Sequence, residues 1–266
     1  MLRNAMTLVL TAALAACSTI PPSAPPAAVA ELAPTGKLRA AINFGNPILA
    51  KKDTASGEAR GVSIDLAREL AKRLGVPVEL VSFTAAGKVV EAVKSNLWDV
   101  AFVAIDPVRG ADMHQSSPYV VIEGAYLVPQ ASPIRGNDEV DRKGLRVMVA
   151  KGSAYDLYLA RELNNAQILR VSTSPEVVDA MLAQKIEVAA GVKQQLEADA
   201  KRVPGVRLLP GRFMVINQAM ATPRNRPAGA RYLEEFVEEM KASGLVADAL
   251  KRHAIEGAAV APAAAR

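Results

Sequence analysis

Cysteine is almost missing from this chain: its 266 residues hold one, Cys17, so no disulfide can close within the molecule. Histidine is nearly as scarce, and the two present, His114 and His253, are isolated from each other and from any second thiol, which excludes a zinc-type ligand set and any metal cofactor. Aromatic residues make up 4% of the sequence, and no Gly-rich phosphate loop with its Lys occurs; "GVKQQLE" is not one. Charge of one sign is not concentrated either. Lys and Arg number 32 against 27 Asp and Glu, spread along the chain and alternating with them, which describes solvated helix faces rather than a nucleic-acid-binding stripe. Long apolar runs are absent as well. The segment 6–16 spans about a dozen residues, short of the ~20 that a transmembrane helix needs.

What is present begins with that segment. Arg3 precedes it and small residues follow it, the layout of an export signal. Leu14-Ala15-Ala16-Cys17 resembles the lipobox of bacterial lipoproteins, in which the cysteine is acylated and becomes the first residue of the mature chain. Residues 1–16 are therefore expected to be a lipoprotein signal peptide, with the protein held in the periplasm by a lipid on Cys17. Residues 17–35, rich in Pro and Ala, are expected to form an extended tether. Residues 256–266, "EGAAVAPAAAR", are expected to be a disordered tail.

Half of the chain is apolar, enough for a sizeable core, and from Lys37 the apolar pattern alternates between strand and helix periods. "KLRAAINF" reads as a strand. "SIDLARELAKRLG" reads as a helix with an acid in its first turn, bases in its last and Gly75 suited to the position just beyond its end. "PVELVSF", "AGKVVEAVKSN" and "WDVAFVAI" continue as strand, helix and buried strand. After "YVVIEGAYLVP" the alternation restarts through "LRVMVA", "SAYDLYLARELNN", "AQILRV", "PEVVDAMLAQ", "IEVAAGV" and "KQQLEADAKR". Two successive βαβ runs predict two α/β lobes. An apolar run, "RFMVINQAMATP", and two helices, "PAGARYLEEFVEEMKASG" and "LVADALKRH", complete the pattern.

Three stretches, "GVSIDLARELAKRLG", "WDVAFVAIDPVRG" followed by "SSPYVVIEGAYLV", and "KGSAYDLYL", make residues 36–253 resemble the family 3 extracellular solute-binding proteins, the amino-acid receptors of ABC importers. The resemblance implies the α/β, two-lobed, type II periplasmic-binding-protein fold. Each lobe is then a mixed, mostly parallel sheet flanked by helices, joined to the other by two crossover hinges. Residues 36–128 plus 218–255 would form lobe 1 and residues 129–217 lobe 2, closing on ligand by a hinge motion. It further implies a monomer that hands a small carboxylate or amino acid to an inner-membrane ABC permease.

The candidate site follows from local chemistry and from this resemblance together. Asp106 suits an N-cap, Pro107 the first helical position, and Arg109 then projects where a strand ends, at the carboxyl end of a parallel sheet. Its planar guanidinium can take a carboxylate in a fork, and the resemblance gives it the ligand's α-carboxylate. In "KGSAYD" a helix start offers unpaired backbone N–H groups of Ser153, Ala154 and Tyr155, with the Ser153 hydroxyl as cap or donor. By resemblance Phe44 is an aromatic wall, with Asn46 beside it, although a core Phe reads equally from the pattern. Tyr155 reads as pocket lining or as helix packing. Glu123, a carboxylate inside an apolar strand, is a cleft candidate.

Two departures from the family pattern bear on the ligand. A hydroxyl residue usual five positions before the arginine is Ala104 here, and the Asp that binds the ligand's ammonium would fall near Val192. Glu123, Asp106 or, weakly, Gln194 then replaces that Asp, or the ligand is no ordinary α-amino acid. Two other functions fit the same scaffold. One is a periplasmic enzyme similar to cyclohexadienyl dehydratase, with Glu123 as the acid it would need. The other is the ligand-sensing subunit of a signalling receptor.

The lipid assignment is open to a direct check. Cys17→Ser should abolish metabolic labelling of the protein with a fatty-acid probe and leave it soluble or unprocessed; labelling that persists in the variant would remove the anchor.

Overall fold

The computed structural model describes residues 24–53 and 55–265, so Cys17 and the signal segment lie outside the described residues. The chain starts with α1 (Pro26–Leu32), then β1 (Leu38–Asn43), a short hairpin of β2 (Lys51–Lys52) and β3 (Ala59–Arg60), α2 (Val62–Leu74), β4 (Val78–Phe83), α3 (Ala86–Glu91), β5 (Val100–Ala104) and the long β6 (Met113–Pro129). It continues through β7 (Arg146–Ala150), α4 (Ala154–Glu162), β8 (Gln167–Val171), α5 (Val177–Ala183), β9 (Val188–Val192), α6 (Lys193–Arg202) and β10 (Val206–Leu208). It returns through β11 (Met214–Pro223) to α7 (Pro227–Ala242), α8 (Leu245–Arg252) and β12 (Ala259–Val260).

The main strands line up in the order β4-β1-β5-β11-β6-β9-β7-β8. At either end of that order the pairing is parallel, β1 with β4 and β5, and β7 with β8 and β9. The middle is antiparallel. β11 runs against both β5 and β6, and β6 runs against β9. Each lobe is thus a mixed, mostly parallel sheet flanked by helices, and the two join through strands that belong to both. β6 pairs with β11 from Met113 to Gly124 and with β9 from Gly124 to Leu127.

Local sequence explains the elements that frame the cleft. β5 is buried at all five positions, as a strand covered on both faces must be. α2 buries Ile64, Ala67, Leu70, Ala71 and Leu74 along one side and ends on Gly75 in the left-handed region, φ 68°. The helix expected over "AGKVVEAVKSN" is only six residues long and tightens into a 3-10 turn at Ala92–Ser95, and Asn96 ends it with a positive φ.

Both chain ends depart from expectation. Part of the supposed tether is α1: Pro26 starts it, where its missing N–H is no loss, and the alanines that follow are strong helix formers. Leu32 is fully buried against α7, and Gly229 of α7 makes the approach possible, since a Cβ there would lie 2.8 Å from Leu32 Cδ2. The Gly229 N–H, one of the unpaired donors in the first turn of α7, donates to Glu31 Oε2 at 2.7 Å. The supposed disordered tail is also ordered in part. β12 pairs with β6 at Val120 and Val121, Ala261 is buried, and Lys241 Nζ donates to the Pro262 carbonyl at 2.8 Å.

If α1 is an integral part of lobe 1, Leu32→Ala should lower unfolding stability by about 2–5 kcal/mol, the usual range for emptying a buried leucine site. Urea titration measures it; a change below about 0.5 kcal/mol would mean that the segment is not part of the folded core.

Candidate functional site

Where β5 ends, the chain turns at Asp106 and Pro107 and places Arg109 in a single 3-10 turn. Asp106 is not its N-cap, which is Val108 with no side-chain cap; instead Asp106 Oδ1 accepts from the Val108 N–H at 2.8 Å in a local turn just ahead of it. Arg109 is 1% exposed. Its Nη1 donates to the Ala104 carbonyl at 3.0 Å and its Nη2 to the Gly152 carbonyl at 2.9 Å, one in each lobe, and its Nε has no partner. Burial pushes its pKa down to about 10, against an upward pull from Asp106, and it stays charged at neutral pH.

Arg109 lines a cavity between the lobes whose non-atom space, open solvent at its mouth included, is about 610 Å³. Asn46 lines it after β1, and its Oδ1 is buried without a hydrogen-bond partner. From the second lobe come Ser153, Ala154 and Tyr155 at the start of α4. Ser153 caps that helix by accepting from the Asp156 N–H at 3.0 Å, which leaves its hydroxyl hydrogen free to donate. Its own N–H is taken by the Ala150 carbonyl, so the free donors of the helix start are reduced to those of Ala154 and Tyr155. The Tyr155 hydroxyl, with its pKa pushed up to about 12 by burial, donates to Ser174 Oγ at 2.8 Å.

Four of the residues nominated from sequence lie elsewhere. Phe44 is absent from the lining and sits partly buried on the core, with Lys52 Nζ 5.4 Å from its ring centre. Asp106 also does not line the cavity, and its Oδ2 accepts from Arg161 at 3.0 Å across the two lobes. Glu123 is held by Arg212 at 2.6 Å and Lys193 at 3.0 Å outside the cavity, and these bonds keep its carboxyl below the usual range. That removes it as an ammonium partner and as the protonated acid a dehydratase would need. Gln194 lies in a separate depression, where its Nε2 donates to the Glu256 carbonyl at 3.3 Å. Val192 does line the cavity, an apolar side chain at the end of β9.

Other lining residues were not anticipated. Phe102 of β5 supplies the aromatic wall in place of Phe44 and meets Tyr119 edge-on, with ring centres 6.1 Å apart. Gln218 and Ile216 come from β11, Ser63 from α2, and Lys151 from the loop before α4. Gln218 was legible in principle, because a polar side chain interrupts an apolar strand there. Phe102 was not, since a strand buried on both faces shows no alternation.

The lobes meet closely at the rim. A Cβ on Gly152, whose φ is +69°, would lie 2.8 Å from Gly87 Cα, and one on Gly87 would lie 3.2 Å from the Lys151 carbonyl. Together with the Arg109 to Gly152 bond and the Asp106–Arg161 pair, this contact describes a closed cleft.

Gly87→Val is expected to hold the cleft open while leaving α3 intact, because Gly87 has ordinary helical backbone and the added side chain collides only across the lobes. Small-angle scattering should give a larger radius of gyration for the variant than for wild type. Equal radii would mean that this rim contact does not limit closure.

Comparison with known proteins agrees with the fold. Among solved structures, a mutant of ArgBP from T. maritima aligns with a TM-score of 0.73 at 18% identity, covering 85% of this chain and 98% of that one. A solute receptor for L-cysteine from Neisseria gonorrhoeae aligns with a TM-score of 0.73 at 23% identity, covering 84% and 92%. An ancestral amino-acid-binding protein, a precursor of cyclohexadienyl dehydratase, aligns with a TM-score of 0.71 at 21% identity, covering 84% and 98%. No curated protein sequence matches the chain. The sequence profile of the bacterial extracellular solute-binding proteins, family 3, matches residues 38–255, most of the chain, and the protein belongs to that family.

Proposed function

We propose that the protein is an extracytoplasmic receptor that captures a small carboxylate-bearing solute, an amino acid or a related compound, between its lobes and delivers it to an inner-membrane ABC importer. It does so as a monomer tied to the membrane by a lipid on Cys17. The observation that carries this reading is Arg109: a buried guanidinium bonded to a carbonyl from each lobe, with a donor to spare, on the wall of the cavity between them. A charged group held this deep in the protein is stabilised when an anion joins it, so ligand carboxylate and closed lobes favour each other.

Family membership and the amino-acid-binding proteins that share the fold support a binding role over catalysis. Among the described residues no helix is long and apolar enough to cross a membrane.

The test is a thermal-shift screen of amino acids and small carboxylates, because a ligand that binds only the folded state raises its melting temperature. Arg109→Ala should weaken every hit by about a hundredfold or more, equivalent to ~2.7 kcal/mol. Circular dichroism of the variant should stay native. A hit whose affinity survives the substitution would displace Arg109 from the site.

A further inference from the structure

The cavity's charges are unbalanced, and the imbalance selects among carboxylates. Of the residues lining it, the charged ones are Arg109 and Lys151, both cations; among the described residues no Asp or Glu lines it. Carboxylates on the elements that frame it, Asp106, Asp156 and Glu123, are already engaged. Asp106 accepts from Arg161 at 3.0 Å, Asp156 from Arg170 at 2.9 Å and from the Gly152 N–H at 2.8 Å, and Glu123 from Arg212 and Lys193. A zwitterion would satisfy Arg109 with its carboxylate and then leave its own ammonium desolvated beside two cations, with no anion to meet it. A monoanion adds no such group.

The unmet hydrogen bonds carry the same message in finer detail. Arg109 Nε is a buried donor without a partner, and Asn46 Oδ1 is a buried acceptor without one, on the wall of the same cavity. One needs an acceptor with negative charge, the other a donor. A carboxylate with a hydroxyl group offers both, and the hydroxyl brings no positive charge. The remaining wall includes Phe102, Ile216, Val192 and Leu49, which suits an apolar substituent.

We propose that the site prefers a small 2-hydroxycarboxylate with an apolar side chain over the α-amino acid of the same shape. The proposal rests on the reading of this cleft as a carboxylate receptor and narrows it to one class of ligand.

Calorimetry on the purified protein with three matched pairs tests it: L-lactate against L-alanine, L-2-hydroxyisocaproate against L-leucine, and L-3-phenyllactate against L-phenylalanine. The hydroxy acid should bind at least tenfold more tightly in each pair that gives heat. Asn46→Asp, which keeps the shape and supplies an anion, should reverse that preference. Tighter or equal binding of the amino acid in wild type overturns the proposal and leaves the carboxylate receptor standing. An unchanged preference in Asn46→Asp overturns it as well, since the charge of the wall then does not select. Silence from all six compounds in both proteins overturns the proposal, while the carboxylate reading is decided separately by the thermal-shift screen and Arg109→Ala.

Discussion

Everything that happens in the cleft depends on the antiparallel pairing of β6 with β11. β6 is seventeen residues long and belongs to both lobes, pairing with β11 up to Gly124 and with β9 beyond it. The handover falls at a glycine whose added Cβ would lie 2.6 Å from Met214 Cγ, so the two strands cross from lobe to lobe at a point with no room for a side chain. Because the lobes share this ladder, continuous paired backbone joins their sheets. Bending there would move the β5 end, with Arg109, relative to the β7 end, with Gly152 and Ser153.

The closed arrangement then turns on how one charge is accommodated. A guanidinium buried this completely needs its donors met, and carbonyls from both lobes meet two of them. The Ala104 carbonyl accepts from Gln115 Nε2 as well, at 2.9 Å, which braces the β5 end against β6. Around the rim, Asp106 and Arg161 join the lobes by an ion pair whose acid is buried and whose base is partly exposed. Gly87 and Gly152 allow backbone to meet backbone. Among the described residues no carboxylate bonds to Arg109, and Asp106, whose charge acts on it, is itself paired with Arg161.

The chain ends act on the same hinge from outside. β12 adds to β6 at Val120 and Val121, a few residues before the handover to the second lobe. Its continuation is held by Lys241 through the Pro262 carbonyl and by Glu238 through the Ala264 N–H, both from α7. α1 clasps the start of the same helix through Glu31 and Leu32. Lobe 1 is therefore completed by α1, which packs on α7, and by β12, which pairs with β6.

By itself the sequence determined the alternation of strands and helices, the two-lobed α/β class, and the placement of Arg109, Asn46 and Ser153 at strand ends, because these depend on periodicity and on local turn and cap chemistry. Pro26 and the alanines after it carried a helix signal too, but composition alone suggested an extended tether, and only the packing of Leu32 on α7 separates the two. The fates of Glu123, Asp106 and Gln194 were not legible at all. Their partners lie 70 and 89, 55, and 62 positions away, and nothing local says which cation or carbonyl folding will bring to them. Phe102 was chosen over Phe44 for the same reason: strand geometry puts side chains on alternate faces, but which face looks into a cavity is decided by the second lobe closing over it.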